Sequence, residues 1–448
     1  MTYRGKPDTG LRHAGGEDQL MKRYLVAMVL LAGGLASAAA FFVWPAGLDP
    51  VARSPSQPTG EALLARGEYL TKAADCVACH TAPGGRPFAG GRAFQLPFGT
   101  IYAPNITPDR ETGLGAWSDA EFVRAVRRGV GRHGEDLYPA LPYTSYSLMS
   151  DDDALAIRAY LASLAPIRSP ASEDTLIFPF NQRYLMRSWK LLFLSSRRFE
   201  LDTSRSESWN RGAYLARALA HCGECHTPRN LFFATKSGSE FAGAVVDGWK
   251  AYNITSDRTA GIGGWSDEAL ASYLSTGHAD GHGGATGSMA EAVDFSLRHL
   301  TAPDVAALVG YLRSIPPRPA MLSGAVESNP PASAASSPWA PPAGEPESQG
   351  ARIFAGSCAS CHGWDGNGQQ VANEALRGAR TVNDPAGTNL VRVIMEGTKI
   401  GSPAGDIAMP GFAGSLSDTE IAAISNYVIG HFGGKNGSVT AANVKSAR

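Results

Sequence analysis

Three five-residue segments decide the fold of this chain. They are Cys76-Val-Ala-Cys79-His80, Cys222-Gly-Glu-Cys225-His226 and Cys358-Ala-Ser-Cys361-His362. The chain has 448 residues and only 6 cysteines, so every cysteine belongs to one of these segments. In each segment two residues separate the cysteines, and a histidine follows at once. No cysteine is left for a different role.

The spacing within these segments predicts covalent attachment of haem. On a helical turn, residues i and i+3 share one face and residue i+4 lies beside them. Two thiols placed in this way can add to the two vinyl groups of a haem, and the adjacent imidazole then reaches the iron. A zinc site usually takes four protein ligands from two pairs, and thioredoxin-like chemistry needs no histidine. We therefore expect three haems c, with His80, His226 and His362 as iron ligands.

Methionine is the usual sixth ligand of such an iron. Met409, which precedes Pro410, lies shortly before the last predicted helix and is the expected ligand after His362. Met289 is the only methionine between His226 and the helix that closes the second repeat. His278 and His282 are alternatives there, although a glycine-rich loop favours them as surface residues.

The sixth ligand of the first iron is predicted by a less direct argument. Leu141 occupies the position at which a methionine is expected, and leucine cannot bind iron. Met149 is the only methionine of this repeat, so we predict Met149 as the sixth ligand. His133 and an open iron remain alternatives.

Repeated sequence motifs show that the chain is built from copies of one unit. Asn105-Ile-Thr recurs as Asn253-Ile-Thr, and the words around Trp117 and Trp265 recur at the same offset of 148 residues. A constant offset over several identities indicates duplication. Each unit is predicted to open with a helix before its cysteines, the first over 61–74, and to close with an amphipathic helix. The closing helices are predicted over 152–164, 303–315 and 418–432, and Ser417 with Glu420 predicts a capping box on the last of them.

These signals divide the chain into seven segments. The three haem-binding units are the first unit (61–165), the second unit (208–316) and the third unit (347–435). Residues 1–60 form an N-terminal tail with a membrane anchor or signal peptide, and 436–448 form a C-terminal tail. The connector (166–207) is rich in aromatic, leucine and basic residues. It is predicted either to pack across the first two units or to form an interfacial or docking surface. The linker (317–346) is rich in proline, which predicts that the third unit is tethered at some distance.

Export is predicted from the N-terminal segment. Lys22 and Arg23 precede an uncharged stretch over 24–48, whose core over 25–44 is long enough to cross a bilayer as a helix. The positive pair should stay in the cytoplasm, which sends the remainder outward. Small residues over 36–40 offer the competing interpretation, a signal peptide that is cleaved within 21–44. Both interpretations place the body of the protein outside the cytoplasm.

Composition excludes two classes of protein. Hydrophobic residues make up 44% of the chain, which is enough for folded cores and excludes global disorder. Lys plus Arg number 40 and Asp plus Glu number 41, and this balance argues against nucleic acid as a partner. We also find no nucleotide-binding glycine fingerprint, zinc protease motif or nucleophile elbow.

The sequence resembles the triple-haem cytochrome c subunits of membrane-bound periplasmic dehydrogenases. The resemblance rests on the sequence motifs that begin at Gly67, Asp75, Asn105, Leu137 and His221. It covers residues 61–433. It implies an all-α chain of three tandem class I cytochrome c domains after an N-terminal membrane helix. The family usually has methionine where this chain has Leu141, and Met149 also matches a common family methionine.

The resemblance implies an electron-transfer subunit rather than a catalyst on its own. Its catalytic partner would be a dehydrogenase that depends on PQQ, FAD or molybdopterin and oxidises alcohols, aldehydes or sugars, together with a small third subunit. Electrons would pass through the haems to ubiquinone, on the periplasmic side of the bacterial inner membrane. Two alternatives stay open: a haem enzyme such as a peroxidase that uses an open first iron, and a relay to a soluble partner or a terminal oxidase.

Overall fold

The computed structural model describes residues 1–2, 5, 14–43, 47–48, 50–319, 348–402 and 405–448. The N-terminal segment forms helix α1 (Ala14–Val43), and its residues over 24–31 are exposed. Within the described ranges, no helix combines the length and the apolar character that crossing a membrane requires. The predicted membrane helix over 25–44 is therefore not confirmed, and position 44 lies outside the described residues.

The first unit is a set of helices with one small antiparallel sheet. Its elements are α2 (Gly60–Ala73), α3 (Cys76–Cys79), β1 (Ala93–Leu96), β2 (Gly99–Tyr102), α4 (Asp119–Arg128), α5 (Tyr143–Tyr146) and α6 (Asp151–Ser163). The opening helix α2 packs on the closing helix α6. Both helices lie within one residue of their predicted bounds.

The connector contains helix α7 (Leu185–Phe193) and packs across both neighbouring units. The indole Nε1 of Trp189 donates to the carbonyl of Phe232 in the second unit at 2.7 Å, and its ring contacts Tyr143 of the first unit at 6.1 Å between centroids. Two apolar side chains of the helix are open to solvent, Leu191 and Leu192 at 73% and 71% exposure. The predicted packing across the two units is confirmed, and a docking role for the exposed side stays a prediction.

The second and third units repeat the helical order of the first. The second contains α8 (Glu207–Tyr214), a π-helical turn (Leu215–Leu219), α9 (Cys222–His226), β3 (Ala244–Val246), β4 (Trp249–Ala251), α10 (Asp267–Thr276), β5 (His278–Ala279), β6 (Gly283–Gly284), α11 (Ser288–Phe295) and α12 (Ala302–Ser314). The third contains α13 (Gln349–Ser357), α14 (Ala359–His362), α15 (Thr388–Glu396), β7 (Thr398–Ile400), β8 (Ile407–Met409), α16 (Asp418–Gly433) and α17 (Ala441–Ala447). Single-turn 3-10 helices lie at Ser237–Ser239, Leu297–His299 and Ala372–Glu374.

The architecture is largely helical, and the predicted closing helices and the capping box of Ser417 and Glu420 are confirmed. The described residues also form four two-stranded antiparallel sheets, β1–β2, β3–β4, β5–β6 and β7–β8. An all-α prediction omits these hairpins because each strand has only two to four residues, too few for an alternating pattern.

A glycine marks the crossing of the opening and closing helices in every unit. A side chain at Gly67 would come within 2.0 Å of the carbonyl of Ala156, and one at Gly212 within 2.0 Å of Ala307. A side chain at Gly350 would come within 2.4 Å of the carbonyl of Ala423 in the third closing helix. The first two units share the pair Arg-Gly at this place, Arg66-Gly67 and Arg211-Gly212, and the glycine permits the close approach of two helix backbones.

The first two units share one core and are joined by reciprocal polar contacts. The hydroxyl of Tyr69 in the first unit donates to Asp304 of the second, and the hydroxyl of Tyr214 in the second donates to Asp153 of the first at 2.6 Å. Each carboxylate also pairs with an arginine of its own unit, Arg66 or Arg211. Apolar residues of both units form a single buried cluster around this contact.

The third unit has its own core but packs against the second. Lys250 Nζ lies 2.8 Å from Asp384 Oδ2, and both side chains are buried. The Asn389 side chain accepts from the backbone N–H of Lys250 at 2.7 Å and donates to its carbonyl at 2.9 Å. The expectation that the third unit is held at a distance is wrong, because these polar groups are satisfied only in the packed arrangement. Most of the predicted linker, 320–346, lies outside the described residues.

Candidate functional site

All three Cys-x-x-Cys-His segments lie on short helices that follow the opening helix of their unit. The six cysteines are free thiols, and five of them are half-buried while Cys361 is exposed. Burial raises the pKa of Cys76, Cys79 and Cys222 to about 12, so these thiols stay protonated at neutral pH. A protonated thiol is a poor nucleophile, which disfavours thioredoxin-like chemistry.

The three histidines are held in the same way. Nδ1 of His80 lies 2.7 Å from the carbonyl oxygen of Pro104. Nδ1 of His226 and of His362 lies 2.6 Å from the carbonyl oxygens of Tyr252 and Glu374. A carbonyl only accepts, so Nδ1 carries the proton and Nε2 keeps its lone pair for a metal. Burial lowers the pKa of all three imidazoles, which favours this neutral form.

The repeated Asn-Ile-Thr turns present two of these carbonyls. The side-chain oxygen of Asn105 accepts from the backbone N–H and the hydroxyl of Thr107, and Asn253 does the same with Thr255. Pro104 directly precedes the first of these asparagines. Each asparagine therefore fixes the turn that presents the histidine-binding carbonyl.

The third unit lacks the Asn-Ile-Thr word and uses the 3-10 helix Ala372–Glu374 instead. The duplicated Asn-Ile-Thr turns thus position the backbone carbonyls that bind His80 and His226, a role that repetition of the motif does not by itself indicate. In both units the residue that supplies the carbonyl stands directly before the repeated asparagine.

The residues present fit three covalently attached haems. Each segment offers two unbridged thiols at i and i+3 and an imidazole whose Nε2 is left for iron. Across the described residues, no three His, Cys, Asp or Glu side chains converge into a separate metal site.

The first and second attachment segments are close neighbours. The hydroxyl of Tyr146 donates to the carbonyl of Ala74, two residues before Cys76, at 2.6 Å. The same tyrosine ring meets the ring of His221, which directly precedes Cys222, with 5.6 Å between centroids. Short separations favour electron transfer because tunnelling falls steeply with distance. The pairing of the first two units therefore brings two candidate redox sites together.

The predicted distal residues lie in different environments. Met409 is half-buried at the end of β8, and Met289 is half-buried in the first turn of α11. Met149 is only 1% exposed and lies in the core that the first two units share. Leu141 is half-buried against that same core, while His133 is exposed.

The alternative histidines of the second unit are not both surface residues. His278 is buried, and the half-buried ring of His282 stacks on Trp265 at 3.9 Å between centroids. The prediction of two surface histidines is wrong, because the third unit covers this loop: Gly283 meets Ala379 closely. Trp265 is buried and belongs to the core that the first two units share.

Arg380 is a residue near the second site that sequence reasoning missed. It comes from the third unit and is buried, with one guanidinium nitrogen 2.6 Å from the carbonyl of Ala260. Its Cζ lies 4.9 Å from the ring centroid of Tyr252, whose carbonyl anchors His226. Burial lowers the pKa of His226 most, and the charge of Arg380 lowers it further. No local motif marks Arg380, because only the packing of two units brings it there.

Comparison with known proteins agrees with this geometry. The family model "Cytochrome c" matches residues 64–165, and the model "Cytochrome C oxidase, cbb3-type, subunit III" matches residues 345–428. The chain is 37% identical to the fructose dehydrogenase cytochrome subunit of Gluconobacter japonicus, over 89% of this chain and 86% of that protein. It is 36% identical to the gluconate 2-dehydrogenase cytochrome c subunit of Pantoea cypripedii, over 87% of this chain and 90% of that protein.

A third relative is longer than this chain. A nicotinate dehydrogenase subunit of Pseudomonas putida is 41% identical over 86% of this chain, but the match spans only 32% of that protein. The two cytochrome subunits above, in contrast, match over most of their own length. The chain therefore belongs to the family of cytochrome c subunits of dehydrogenase complexes, and it is an electron-transfer protein with covalently bound haem c that works with a catalytic dehydrogenase subunit.

Proposed function

We propose that the chain carries three haems c and passes electrons from its catalytic subunit to ubiquinone in the membrane. The observation that carries this proposal is the identical construction of the three attachment segments. In each, two free thiols precede an imidazole whose Nδ1 is bound to a backbone carbonyl. Haem c, when bound, would supply one-electron transfer at its iron.

The protein would hold each haem through its own cysteine pair and its own histidine. Cys76 and Cys79, Cys222 and Cys225, and Cys358 and Cys361 are the proposed thioether positions. Met289 and Met409 are the proposed sixth ligands in the second and third units, and a thioether ligand raises the reduction potential. For the first unit the sequence predicts Met149, a residue far more buried than the other two methionines.

The connector is the proposed contact surface for the catalytic subunit or the membrane. Its exposed apolar side chains include Leu191, Leu192 and Phe178. Phe232 of the second unit is also exposed, and its ring lies 6.0 Å from that of Phe193. Large exposed apolar side chains that cluster commonly mark a site of protein or membrane contact. The end of α1 reaches the same region, because Arg187 donates to the carbonyl of Phe41 at 2.7 Å.

Export to the periplasmic side of the bacterial inner membrane, with the N-terminal segment either retained as an anchor or cleaved, is part of this proposal. N-terminal sequencing of the mature protein and carbonate extraction of membranes test it. A mature chain found in the cytoplasm would contradict the export prediction.

Loss of the Arg380 charge should lower one reduction potential. Arg380 lies against Tyr252, whose carbonyl anchors His226, and a buried cation would favour the reduced state of an iron held by that histidine. At an effective dielectric constant near 20, a unit charge contributes on the order of 1–2 kcal/mol over a separation of about 10 Å. We therefore expect Arg380→Gln to lower the potential of the second haem by some tens of millivolts. Potentiometric titration measures this shift, with Arg258→Gln in an exposed position as the control. Three unchanged potentials would show that Arg380 does not act on this site.

The proposed function is tested on the complex as it exists in membranes. The tagged full-length chain is purified with mild detergent, and the copurifying catalytic subunit and its PQQ, FAD or molybdopterin cofactor are identified by mass spectrometry. The complex should reduce a ubiquinone analogue when its substrate is supplied, and the isolated chain should not oxidise that substrate. Turnover by the isolated chain, or a complex that reduces its haems but no quinone, would contradict the proposal.

A further inference from the structure

The three closing helices begin in the same way, and this gives a common register for the distal halves of the units. Ser150, Thr301 and Ser417 are the N-caps of α6, α12 and α16. The side chain of each accepts from the backbone N–H of the third helical residue. The residue directly before each cap can therefore be compared between the units.

Met149 occupies a packing position in this register. It directly precedes its N-cap, and Leu300 and Leu416 directly precede theirs. An apolar residue at this place commonly packs against the first turn of the helix and fixes the angle at which the chain enters it. Leu300 is 9% exposed, and Leu416 packs against the core of the third unit. Because leucine does this in two units, the position calls for an apolar side chain and not for an iron ligand.

The surroundings of Met149 agree with a packing role. Its side chain is closed off in the shared core at 1% exposure, whereas Met289 and Met409 are half-buried. A thioether that binds iron must border the space that the haem fills. Met149 is closed off within the core that the first two units share, whereas Met289 packs against the same core with part of its surface open.

Leu141 occupies the ligand position instead. Leu141 is followed by Pro142, as Met409 is followed by Pro410. The distance to the N-cap varies among the units, from eight residues for Met409 and nine for Leu141 to twelve for Met289, so the shared proline carries the comparison. The neighbouring tyrosines have other partners: the hydroxyl of Tyr138 donates to the carbonyl of Phe180, and that of Tyr143 to the carbonyl of Leu137. His133 is exposed.

We propose that the first haem iron has no methionine ligand and that its distal position, beside Leu141, accepts a small uncharged diatomic ligand. This inference rests on the haem attachment at Cys76 and Cys79 proposed above. The first haem then has a lower potential than the two methionine-ligated haems, because a thioether ligand raises the potential. It is a ligand-binding site in a chain whose other two irons are closed.

Carbon monoxide binding to the reduced full-length protein tests the inference. The wild-type chain should bind one carbon monoxide per three haems. Leu141→Met should abolish that binding and add a third methionine-to-iron charge-transfer band to the near-infrared spectrum of the oxidised protein. Met149→Leu, which installs the residue found in the other two units, should leave both the binding and the two original bands unchanged.

Three results would overturn the inference. They are no carbon monoxide binding by the wild type, a gain of binding in Met149→Leu, and unchanged binding in Leu141→Met. The intact mass of each protein reports its haem content, so failure of haem attachment, which would contradict the proposed function, is distinguished from a wrong ligand.

Discussion

Replacing Cys358 and Cys361 together by alanine is expected to reduce the haem content from three per chain to two. Most buried apolar residues of the third unit form a core of their own, although Ile400 belongs to the core that the first two units share. Loss of its thioether bonds should therefore leave the other two attachment sites intact. The intact mass should fall by one haem beyond the change in the two side chains.

The control for this variant lies between the same two cysteines. Ser360 is exposed, and Ser360→Ala should keep all three haems. Three haems in the double cysteine variant would show that the third segment does not attach one. Loss of all three would show that the units do not load independently.

Replacing Lys250 by methionine is expected to weaken the contact between the second and third units strongly. The change leaves the carboxylate of Asp384, whose side chain is 1% exposed, without its ionic partner at 2.8 Å. Breaking a buried ion pair from one side costs about 3–5 kcal/mol. Asp384 keeps the hydrogen bond from the backbone N–H of Ala386 and the nearby charge of Arg380, so we expect a cost at the lower end of this range. The backbone N–H of Lys250 donates to Asn389 across this contact. Its hydrogen exchange should accelerate on the order of 10²–10³-fold.

Two further variants separate loss of the pair from loss of the lysine itself. The double replacement Lys250→Met with Asp384→Leu removes both charges and should restore most of the protection, since apolar pairs often substitute for buried ionic pairs. Lys399 pairs with Asp406 at 2.7 Å, but both side chains are largely exposed. Lys399→Met should leave the exchange of the Lys250 amide unchanged. Equal exchange in Lys250→Met and the wild type would mean that the ion pair does not hold the two units together.

The attachment segments and the helices around them were predictable because their signals are local. Two thiols and an imidazole at fixed spacing need only one helical turn, and the cap at Ser417 needs only four residues. The packing of the third unit was not predictable in this way. Lys250 and Asp384 are 134 residues apart in the chain. Neither residue has a sequence context that distinguishes it from an ordinary surface charge. The proline-rich linker pointed instead to separation, since composition describes the stiffness of a segment and not where its ends meet.

The ligand of the first iron shows a second limit of prediction from sequence, which is that residue type alone does not identify a ligand. Residue type favoured Met149, because it is the only methionine of its unit. Our inference assigns Met149 to packing instead, from its place directly before the helix cap, where the other units have Leu300 and Leu416. The N-caps Ser150, Thr301 and Ser417 are all present in the sequence, so alignment of the units on their caps carries information that a search for methionine does not. Burial of the thioether then supplied the physical reason.

The number of haems on the mature wild-type chain tests the central claim most directly. Intact-mass measurement of the purified protein, together with the pyridine haemochrome spectrum, gives this number without reference to any partner or substrate. The three equivalent attachment segments predict a mass that exceeds the polypeptide by three haems and a spectrum of haem c alone. A mass increase of two haems or fewer, or haem that denaturation releases, would contradict the account.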